Sequence, residues 1–533
     1  PNSPQYNVLG ESGRMLVISA STLLGAIQPL VDWKIQKGIA VDVTDIASIG
    51  NTEAAIFAYI QNYYAAHPDL TFLLLVGDHQ QIKSGNMGQT STPETKWSDT
   101  RYAFLSGADY FPEILVGRFS ANNVTEASTM VNRNLEYEKN PLSGAWITTS
   151  LGLASSQGAG QGDNGEADWQ HMRYMRDTLL NYGYTQVHEF YDGSQGGADA
   201  ANNPTNSAVA TAVNAGTSLF LYCGHGSQNA CVTSNYNSTN VWNATNNSKF
   251  PFVLSVACNN GTFDSGTCLM EDFQRANNAN GPTGAIAGAG STILMAWAEP
   301  MPTEDEIVDI LTENKPGNIK QTLGGLFYNA QMRMLEKYPT PDGEEVMQTW
   351  VFFGDPSCVI LSKLPQQMTI SHQVCYTGST INLVVNGSLS GALASLTVNG
   401  TILATAPVTG GAATLNFSAQ TGTDSLLLTV TGYNQYPYQK YITPCAIGIG
   451  ANEMGFVNVF PNPAEQSLTV ALSNGSQIKD IRILNALGQF VAVPAITGLT
   501  DTQVDVSGLA KGMYKLILTD NNSNTLTKTF VKQ

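Results

Sequence analysis

Short apolar runs alternate with segments of helical spacing from residue 14 to residue 363, and this alternation constrains the fold more than any other feature of the chain. The first apolar runs cover residues 15–19, 40–43 and 71–76. Between them, apolar residues recur with helical spacing at 23–37 and 53–64. Alternation of this kind predicts parallel strands with helices on both faces of the sheet.

A second set of alternating segments follows, with apolar runs at residues 151–154, 218–223, 252–257 and 284–287. Helical spacing recurs at 169–182, 304–311 and 323–337. Because 533 residues are too many for one hydrophobic core, several domains are expected. We predict an α/β fold with one parallel-sheet subdomain over residues 1–140 and a second over residues 141–363.

The pattern changes at residue 364, where alternating apolar and polar residues are separated by Gly, Asn and Ser turns. This pattern is typical of small all-β sandwiches, and we predict one over residues 364–448 and another over residues 449–533. Cys375 and Cys445 bracket the first sandwich and are the only cysteines within it. In an oxidising compartment they are expected to form a disulfide.

The overall charge and composition limit the class of protein. A formal net charge of −17 without a basic stripe argues against a nucleic-acid partner. No apolar run reaches the roughly 18 residues that cross a bilayer, so no transmembrane segment is expected. The charged fraction is only 13%, as is common in exported bacterial proteins. Since the chain starts at Pro1 without a leader, we interpret its N-terminus as processed or trimmed.

Two predicted strands end next to side chains that can do nucleophilic chemistry. The run 218–223 is followed by Gly224-His225-Gly226, and the run 252–257 is followed directly by Cys258. Since ligands bind at the carboxyl ends of strands in α/β sheets, His225 and Cys258 could face one crevice. A thiolate can attack a carbonyl, an imidazolium can protonate the leaving amine, and the amides of Gly226 and Cys258 could hold the oxyanion.

Each of these residues also has an ordinary structural explanation. A cysteine that ends a buried strand is usually an inert core thiol, and a histidine after a strand is usually a loop residue. The odd count of seven cysteines leaves at least one thiol without an intrachain partner in an exported protein. The lack of a CxxC pair gives no support to a zinc or thioredoxin site. On the residues alone, the catalytic and the structural interpretations stay balanced.

Several ordered motifs resemble the gingipains, a family of caspase-like cysteine peptidases of the Bacteroidetes. The resemblance covers roughly residues 1–363 and implies a caspase-like catalytic domain in which His225 and Cys258 form the catalytic dyad of an endopeptidase. The motifs that carry it are Gly13-Arg14-Met15, Leu75-Val76-Gly77-Asp78-His79, Asp163-Asn164-Gly165-Glu166, Gly224-His225-Gly226-Ser227, Val256-Ala257-Cys258, Trp297-Ala298 and Phe353-Gly354-Asp355-Pro356-Ser357.

The same resemblance implies a specificity pocket. Asp168 matches the acid at the bottom of the pocket in the arginine-specific members, and Trp297 and Met301 match residues that flank it. Without the resemblance, Asp168 would be interpreted as a solvated carboxylate at a helix start, and Trp297 as core packing. Glu299, two residues past Trp297, could add a second negative charge and broaden the preference from Arg towards Lys.

One position departs from the family pattern. Gln157 stands where many members carry an acid that orients the catalytic histidine. A neutral amide can still orient the ring by a hydrogen bond, but it stabilises an imidazolium less than a carboxylate does. Asp163, a few residues later, is an alternative orienting group.

No cofactor is expected for the chemistry, whereas the resemblance implies structural calcium. Asp78, Asp99 and Asp109 are oxygen donors in predicted loops, but their spacing is not that of an EF-hand. The resemblance therefore implies calcium without identifying its ligands.

The two β regions resemble the remaining parts of gingipain-like proteins. Residues 364–448 resemble the immunoglobulin-like domain that follows the catalytic domain. Residues 451–533 are similar to the sorting domain of the type IX secretion system, on the motifs Phe460-Pro461-Asn462-Pro463, Asn485-Ala486-Leu487-Gly488-Gln489 and Leu509-Ala510-Lys511-Gly512-Met513-Tyr514. This resemblance implies export through the periplasm, with the type IX machinery as a partner, to a secreted or outer-membrane surface location.

Three functional hypotheses follow. The first is an endopeptidase that cleaves protein or peptide substrates after a basic residue, Arg preferred, through an acyl-enzyme. The second is a gingipain-like transpeptidase of the secretion machinery, which resolves its thioester with an amine. The third is a non-catalytic surface adhesin on the same fold, which the intact His225 and Cys258 disfavour.

Overall fold

The computed structural model describes most of the chain. The described residues are 6–89, 95–386, 389, 391–418, 425–445, 457–472, 477–492, 494–496, 498, 500–521 and 525–533. They form two compact units, of which the first holds the α/β region and the first sandwich and the second holds the C-terminal sandwich. The predicted boundary at residue 449 lies outside the described residues.

Ten strands of the α/β region form one sheet. In chain order they are β1 (Arg14–Ser19), β2 (Val41–Asp45), β3 (Leu70–Val76), β4 (Leu115–Phe119), β5 (Thr149–Ala154), β6 (Gln186–Tyr191), β7 (Leu219–Cys223), β8 (Phe252–Val256), β9 (Ala287–Ser291) and β10 (Trp350–Phe353). Their spatial order is β2-β1-β3-β4-β10-β9-β8-β7-β5-β6. Most central strands are buried along their whole length, which explains their continuous apolar runs.

Helices connect and cover the strands. They are α1 (Leu24–Gln36), α2 (Ile46–Ile49), α3 (Glu53–Ala66), α4 (Val124–Lys139), α5 (Asp168–Tyr182), α6 (Asn206–Ala215), α7 (Ser238–Trp242), α8 (Leu269–Arg275), α9 (Met301–Leu311), α10 (Leu323–Lys337) and α11 (Pro341–Thr349). Thr52 caps α3 and Thr322 caps α10 with side-chain oxygens that accept backbone N–H groups. The predicted alternation of strands and helices is confirmed.

The sheets of the two predicted subdomains are continuous with each other. Strands β4 and β10 join them through one register pair, Arg118 with Phe353. Strand β10 runs antiparallel to β9, whereas the other pairings in this sheet are parallel. The division of this region at residue 140 stays a prediction.

One predicted strand is displaced along the chain. The sequence pattern predicted a strand at 284–287, but β9 begins only at Ala287. Gly284 has a φ of +78°, and a Cβ at this position would lie 2.1 Å from the carbonyl oxygen of Phe273. The apolar run therefore starts with a tight turn, because only glycine fits there.

The described residues of the first sandwich form eight strands in two sheets. They are β11 (Thr369–His372), β12 (Cys375–Tyr376), β13 (Thr380–Asn386), β14 (Leu393–Val398), β15 (Thr401–Pro407), β16 (Ala412–Asn416), β17 (Leu426–Thr431) and β18 (Tyr438–Pro444), in the orders β11-β13-β16 and β12-β18-β17-β14-β15. Cys375 and Cys445 are disulfide-bonded and the other five cysteines are free. The predicted disulfide is thereby confirmed.

The C-terminal unit is a second β-sandwich with its own core. Its strands are β19 (Val457–Phe460), β20 (Ser467–Leu472), β21 (Ile478–Leu484), β22 (Phe490–Ala492), β23 (Asp501–Asp505), β24 (Gly512–Asp520) and β25 (Thr525–Lys532), in the orders β19-β20-β23 and β22-β21-β24-β25. Leu468, Val470 and Ile481 are among the fully buried residues between its sheets. Over the described part of the whole chain, no helix is long and apolar enough to cross a membrane.

Candidate active site

His225 lies two residues after the buried strand β7, and its side chain is exposed. Its backbone is fixed by two donors, because the Tyr222 hydroxyl and the Val232 N–H both donate to the His225 carbonyl oxygen. The Gly224 N–H also donates to the carbonyl of Val256, at the end of the neighbouring strand β8. The loop that carries the histidine is therefore tied to the strand that precedes the cysteine.

Cys258 lies two residues after β8, and it is half-buried. The backbone N–H of Met295 donates to its sulfur at 3.4 Å. Buried Asn260 ties the cysteine loop to the hairpin after His225, since its side-chain amide donates to the carbonyls of Ser227 and Ala230. His225 and Cys258 line one cavity, as their placement after neighbouring parallel strands predicted.

Gly226 lies directly against the backbone of Cys258. A Cβ at this position would come within 2.2 Å of the Cys258 carbonyl oxygen and 3.0 Å of its nitrogen. A side chain there would push the two loops apart, so the close approach requires glycine. The role of the Gly226 amide as an oxyanion donor stays a prediction that this proximity supports.

Gln157 contacts the catalytic histidine candidate. Its Oε1 atom lies 3.1 Å from Nε2 of His225, within hydrogen-bonding distance. Asp163, the alternative orienting group, is engaged elsewhere, because Tyr338 donates to its Oδ1 at 2.7 Å and Lys337 binds its Oδ2. The side chain that contacts His225 is thus the amide of Gln157, and its orienting role stays a prediction.

Asp168 is the first residue of α5, is fully buried and lines the same cavity. The Ser155 hydroxyl donates to its Oδ2 at 2.5 Å, and the Trp297 indole N–H donates to its Oδ1 at 3.1 Å. Burial raises the pKa of Asp168, although the hydrogen bonds from Ser155, Cys223 and Trp297 oppose the rise. It is therefore not the solvated helix-start carboxylate that its sequence position alone indicates.

The remaining predicted pocket residues differ in position. Trp297 lines the cavity, and its ring packs edge-on against the His225 ring with centroids 5.4 Å apart. Met301 begins α9 and is fully buried in the main core, and it does not line this cavity. Glu299 is half-buried, also lies outside the cavity lining, and acts electrostatically on Tyr338.

Family models match three consecutive parts of the chain. A model described as peptidase family C25 matches residues 9–361, and the C-terminal ig-like domain of that family matches residues 372–444. A secretion system C-terminal sorting domain matches residues 458–533.

The chain belongs to peptidase family C25.

Curated relatives and a solved structure agree with this assignment. Gingipain R1 of Porphyromonas gingivalis is 38% identical over 439 residues, which cover 81% of this chain and 42% of that protein. Gingipain R2 of Porphyromonas gingivalis is 37% identical over 431 residues, covering 80% of this chain and 56% of that protein. The chain thus spans about half the length of these relatives.

A crystal structure of the Arg-specific cysteine proteinase gingipain R matches with a TM-score of 0.77 and 35% identity, covering 83% of this chain and 100% of that chain. The caspase-like α/β fold with an Ig-like domain is confirmed by this match. The sorting domain and the gingipain relatives support a secreted or surface-attached protein.

Three residues of this C25 site escaped the sequence analysis. Ser155 and Cys223 each contact Asp168, and both resemble ordinary small residues at the ends of buried strands. Gly158 has a φ of +82°, and a Cβ there would meet Nε1 of Trp297 at 2.5 Å and Oδ1 of Asp168 at 2.9 Å. Gly158 was the signal in the sequence that could have pointed to these contacts, because a glycine directly after Gln157 indicates that other groups approach the backbone closely there.

A cluster of titratable groups lies around His171, one helical turn after Asp168. The buried His171 ring lies 3.4 Å from Glu304 and 3.6 Å from both Glu166 and Asp305. Burial alone would lower the pKa of His171, but Asp305, Glu166 and Glu304 raise it well above its ordinary value. Burial raises the pKa of Glu304 to about 7, against the opposing effect of His171. Three carboxyl groups thus surround a single histidine in this cluster.

The three loop aspartates that the sequence offered as oxygen donors are engaged by other groups. Arg118 binds both carboxylate oxygens of Asp99, at 2.6 and 2.8 Å, and Arg275 binds Asp78 at 3.0 Å. Asp109 accepts the backbone N–H of Phe111 in its own loop. Within the described ranges, no group of three or more His, Cys, Asp or Glu side chains is arranged to hold a metal ion.

Proposed function

We propose that this chain is a cysteine endopeptidase that cleaves after a basic residue, with Arg preferred over Lys. The observation that carries the proposal is the buried carboxylate of Asp168 in the cavity that His225 and Cys258 also line. A carboxylate there can bind a guanidinium by two charge-assisted hydrogen bonds, whereas an ammonium offers no such fork. A basic residue before the scissile bond would then lie beside the nucleophile.

Trp297 occupies part of this site in the free protein. Its indole N–H donates to Oδ1 of Asp168, so a guanidinium that binds this carboxylate competes with Trp297 for the same oxygen.

The chemistry follows from the groups present. The Cys258 sulfur attacks the scissile carbonyl carbon while its proton passes to His225, and the amides of Gly226 and Cys258 hold the oxyanion. The C–N bond breaks as His225 protonates the leaving amine, which gives a thioester. A water then loses a proton to His225 and attacks the thioester carbonyl, and the departing sulfur regains a proton.

A cleavage map of a peptide library, read by mass spectrometry, tests the proposal. Cuts should concentrate after Arg, with fewer after Lys, because Asp168 supplies the only carboxylate among the described residues that line the cavity. Products whose new carboxyl end is joined to an amine through an amide bond would favour the transpeptidase alternative. No cleavage by the folded protein would favour the adhesin alternative.

We also propose that the C-terminal unit is an export address read by the type IX secretion machinery. Deleting residues 449–533 should leave the protein in the periplasm of a type IX-competent host, because the folded sorting domain is the part that the machinery would bind. Export is measured by fractionation, and peptidase activity is measured on the recovered protein. The truncated chain should keep its activity, since the catalytic unit has its own core.

The full-length Cys258→Ala variant is the matched control, because it should be exported normally without activity. Normal secretion of the truncated chain would contradict the export proposal. Loss of activity in folded truncated protein would instead assign the tail a role in the catalytic unit.

A further inference from the structure

Hydrogen bonds through Ser155 and Gln157 connect the pocket acid Asp168 to the catalytic histidine candidate His225. The Ser155 hydroxyl donates to Oδ2 of Asp168 at 2.5 Å, and its oxygen accepts the backbone N–H of Gln157 at 3.0 Å. The side chain of Gln157 then reaches Nε2 of His225 at 3.1 Å. Ser155 is thus hydrogen-bonded both to the side chain of Asp168 and to the backbone of Gln157.

A second bond fixes the same segment. The backbone N–H of Asp168 donates to the carbonyl of Gln157 at 3.0 Å, so both backbone polar groups of Gln157 depend on the Ser155–Asp168 pair. Ser155 and Asp168 are buried, whereas the side chain of Gln157 is exposed. The buried pair therefore provides the rigid support, and an exposed amide alone would be free to rotate away from His225.

We propose that Ser155 is a positioning residue that couples the filling of the Asp168 pocket to the orientation of His225 through Gln157. The inference rests on the proposed function, because it needs His225 as the catalytic base and Asp168 as the pocket acid. An arginine that binds Asp168 changes the partners of the carboxylate, and Ser155 and the Asp168 N–H transmit that change to Gln157. Part of the binding energy of the arginine then raises kcat, since it is used to orient the base in the transition state.

The test compares two matched substrates in four proteins. The substrates carry Arg or citrulline before the scissile bond, since citrulline keeps the shape of Arg without its charge. The proteins are the wild type, Ser155→Ala, Gln157→Ala and the double variant, with kcat and KM measured separately. In the wild type, Arg should give the higher kcat. In Ser155→Ala and Gln157→Ala this kcat advantage should fall about tenfold, and the double variant should be no worse than either single one.

The reaction of Cys258 with iodoacetamide is a second readout that does not use the pocket. Its rate should fall by the same factor in Ser155→Ala and Gln157→Ala, because both variants release His225 from its orienting partner. A change in KM for Arg with unchanged alkylation and kcat would overturn the proposal, since it would confine Ser155 to the pocket. Independent effects that multiply in the double variant would overturn it as well.

Two further variants control for folding. Ser156→Ala changes the exposed neighbour of Ser155 and should behave as the wild type. Ser155→Thr keeps the hydroxyl and should recover most of the kcat advantage, which a general loss of stability in Ser155→Ala would not explain. If the wild type does not cleave after Arg, or Cys258→Ala stays active, the proposed function itself fails. If the wild type cleaves after Arg and Cys258→Ala is inactive, the proposed function stands. If Ser155→Ala then shows the same kcat advantage for Arg as Ser156→Ala, only the coupling fails.

Discussion

Replacing Cys258 by alanine should abolish peptide cleavage and leave the fold intact. The variant removes the nucleophile, and loss of such a residue typically lowers kcat by roughly 10⁴-fold or more. Cys258 is only half-buried, and its side chain faces the cavity, so the substitution disturbs little packing. The measurement is hydrolysis of an Arg peptide together with the urea unfolding midpoint of both proteins.

Chemical labelling provides an independent check of the same residue. The other free cysteines, Cys223, Cys231, Cys268 and Cys358, are buried, and burial raises the pKa of each thiol. Iodoacetamide should therefore modify Cys258 first, because thiolates and not thiols react. Cys358→Ala serves as the control and should keep both activity and labelling. Full activity in Cys258→Ala would refute the assignment.

Replacing Asp168 by asparagine should remove the preference for Arg. The change should cost about 2–5 kcal/mol of transition-state binding with an Arg substrate, as when one partner of a buried charge pair is lost. Substrates with an uncharged residue at this position should lose much less, because they do not use the carboxylate. The measurement is kcat/KM for matched Arg, Lys and Ala substrates in both proteins.

Glu299→Gln is the matched control for this prediction. The sequence suggested that Glu299 adds a second negative charge to the pocket, but its side chain lies outside the cavity lining. This variant should therefore keep the ratio of Arg to Lys cleavage. If Asp168→Asn retained the Arg preference, or the wild type cleaved best after an apolar or acidic residue, Asp168 would not be the pocket acid.

The same carboxylate predicts a pH dependence of specificity. Burial raises the pKa of Asp168, and only the deprotonated form attracts a guanidinium. The preference for Arg over citrulline should therefore be complete well above this raised pKa and weaken as the pH falls through it. In Asp168→Asn the ratio of the two rates should not change with pH, and a parallel change in both proteins would assign the effect to another group.

The residues that a local pattern can reveal were found from the sequence. Buried parallel strands produce continuous apolar runs, so the strands before His225 and Cys258 could be located, and parallel strands bring their carboxyl ends to one edge. The motifs around these strands indicated the family, and through it Asp168, Trp297 and Gln157. The turn at Gly284 was missed, because an apolar run does not reveal whether its backbone is extended or turned.

The contacts that assemble the pocket were beyond the sequence. Trp297 and Asp168 are 129 residues apart and meet only because β9 and α5 are brought together by the sheet. Met301 and Glu299 are close to Trp297 along the chain, yet neither lines the cavity. Met301 begins helix α9 and is buried in the core, whereas Glu299 lies in the segment before the helix, outside the cavity lining.

By itself, then, the sequence determined the strand and helix alternation and the two β regions, because these depend on local periodicity, and it placed His225 and Cys258 just after two buried strands. Only the tertiary structure decided that Asp168 is buried, that Ser155 and Cys223 contact it, and that Gln157 reaches His225 where Asp163 does not. The physical reason is that burial and hydrogen-bond partners are set by which distant segments pack together, and local sequence spacing carries no record of that packing.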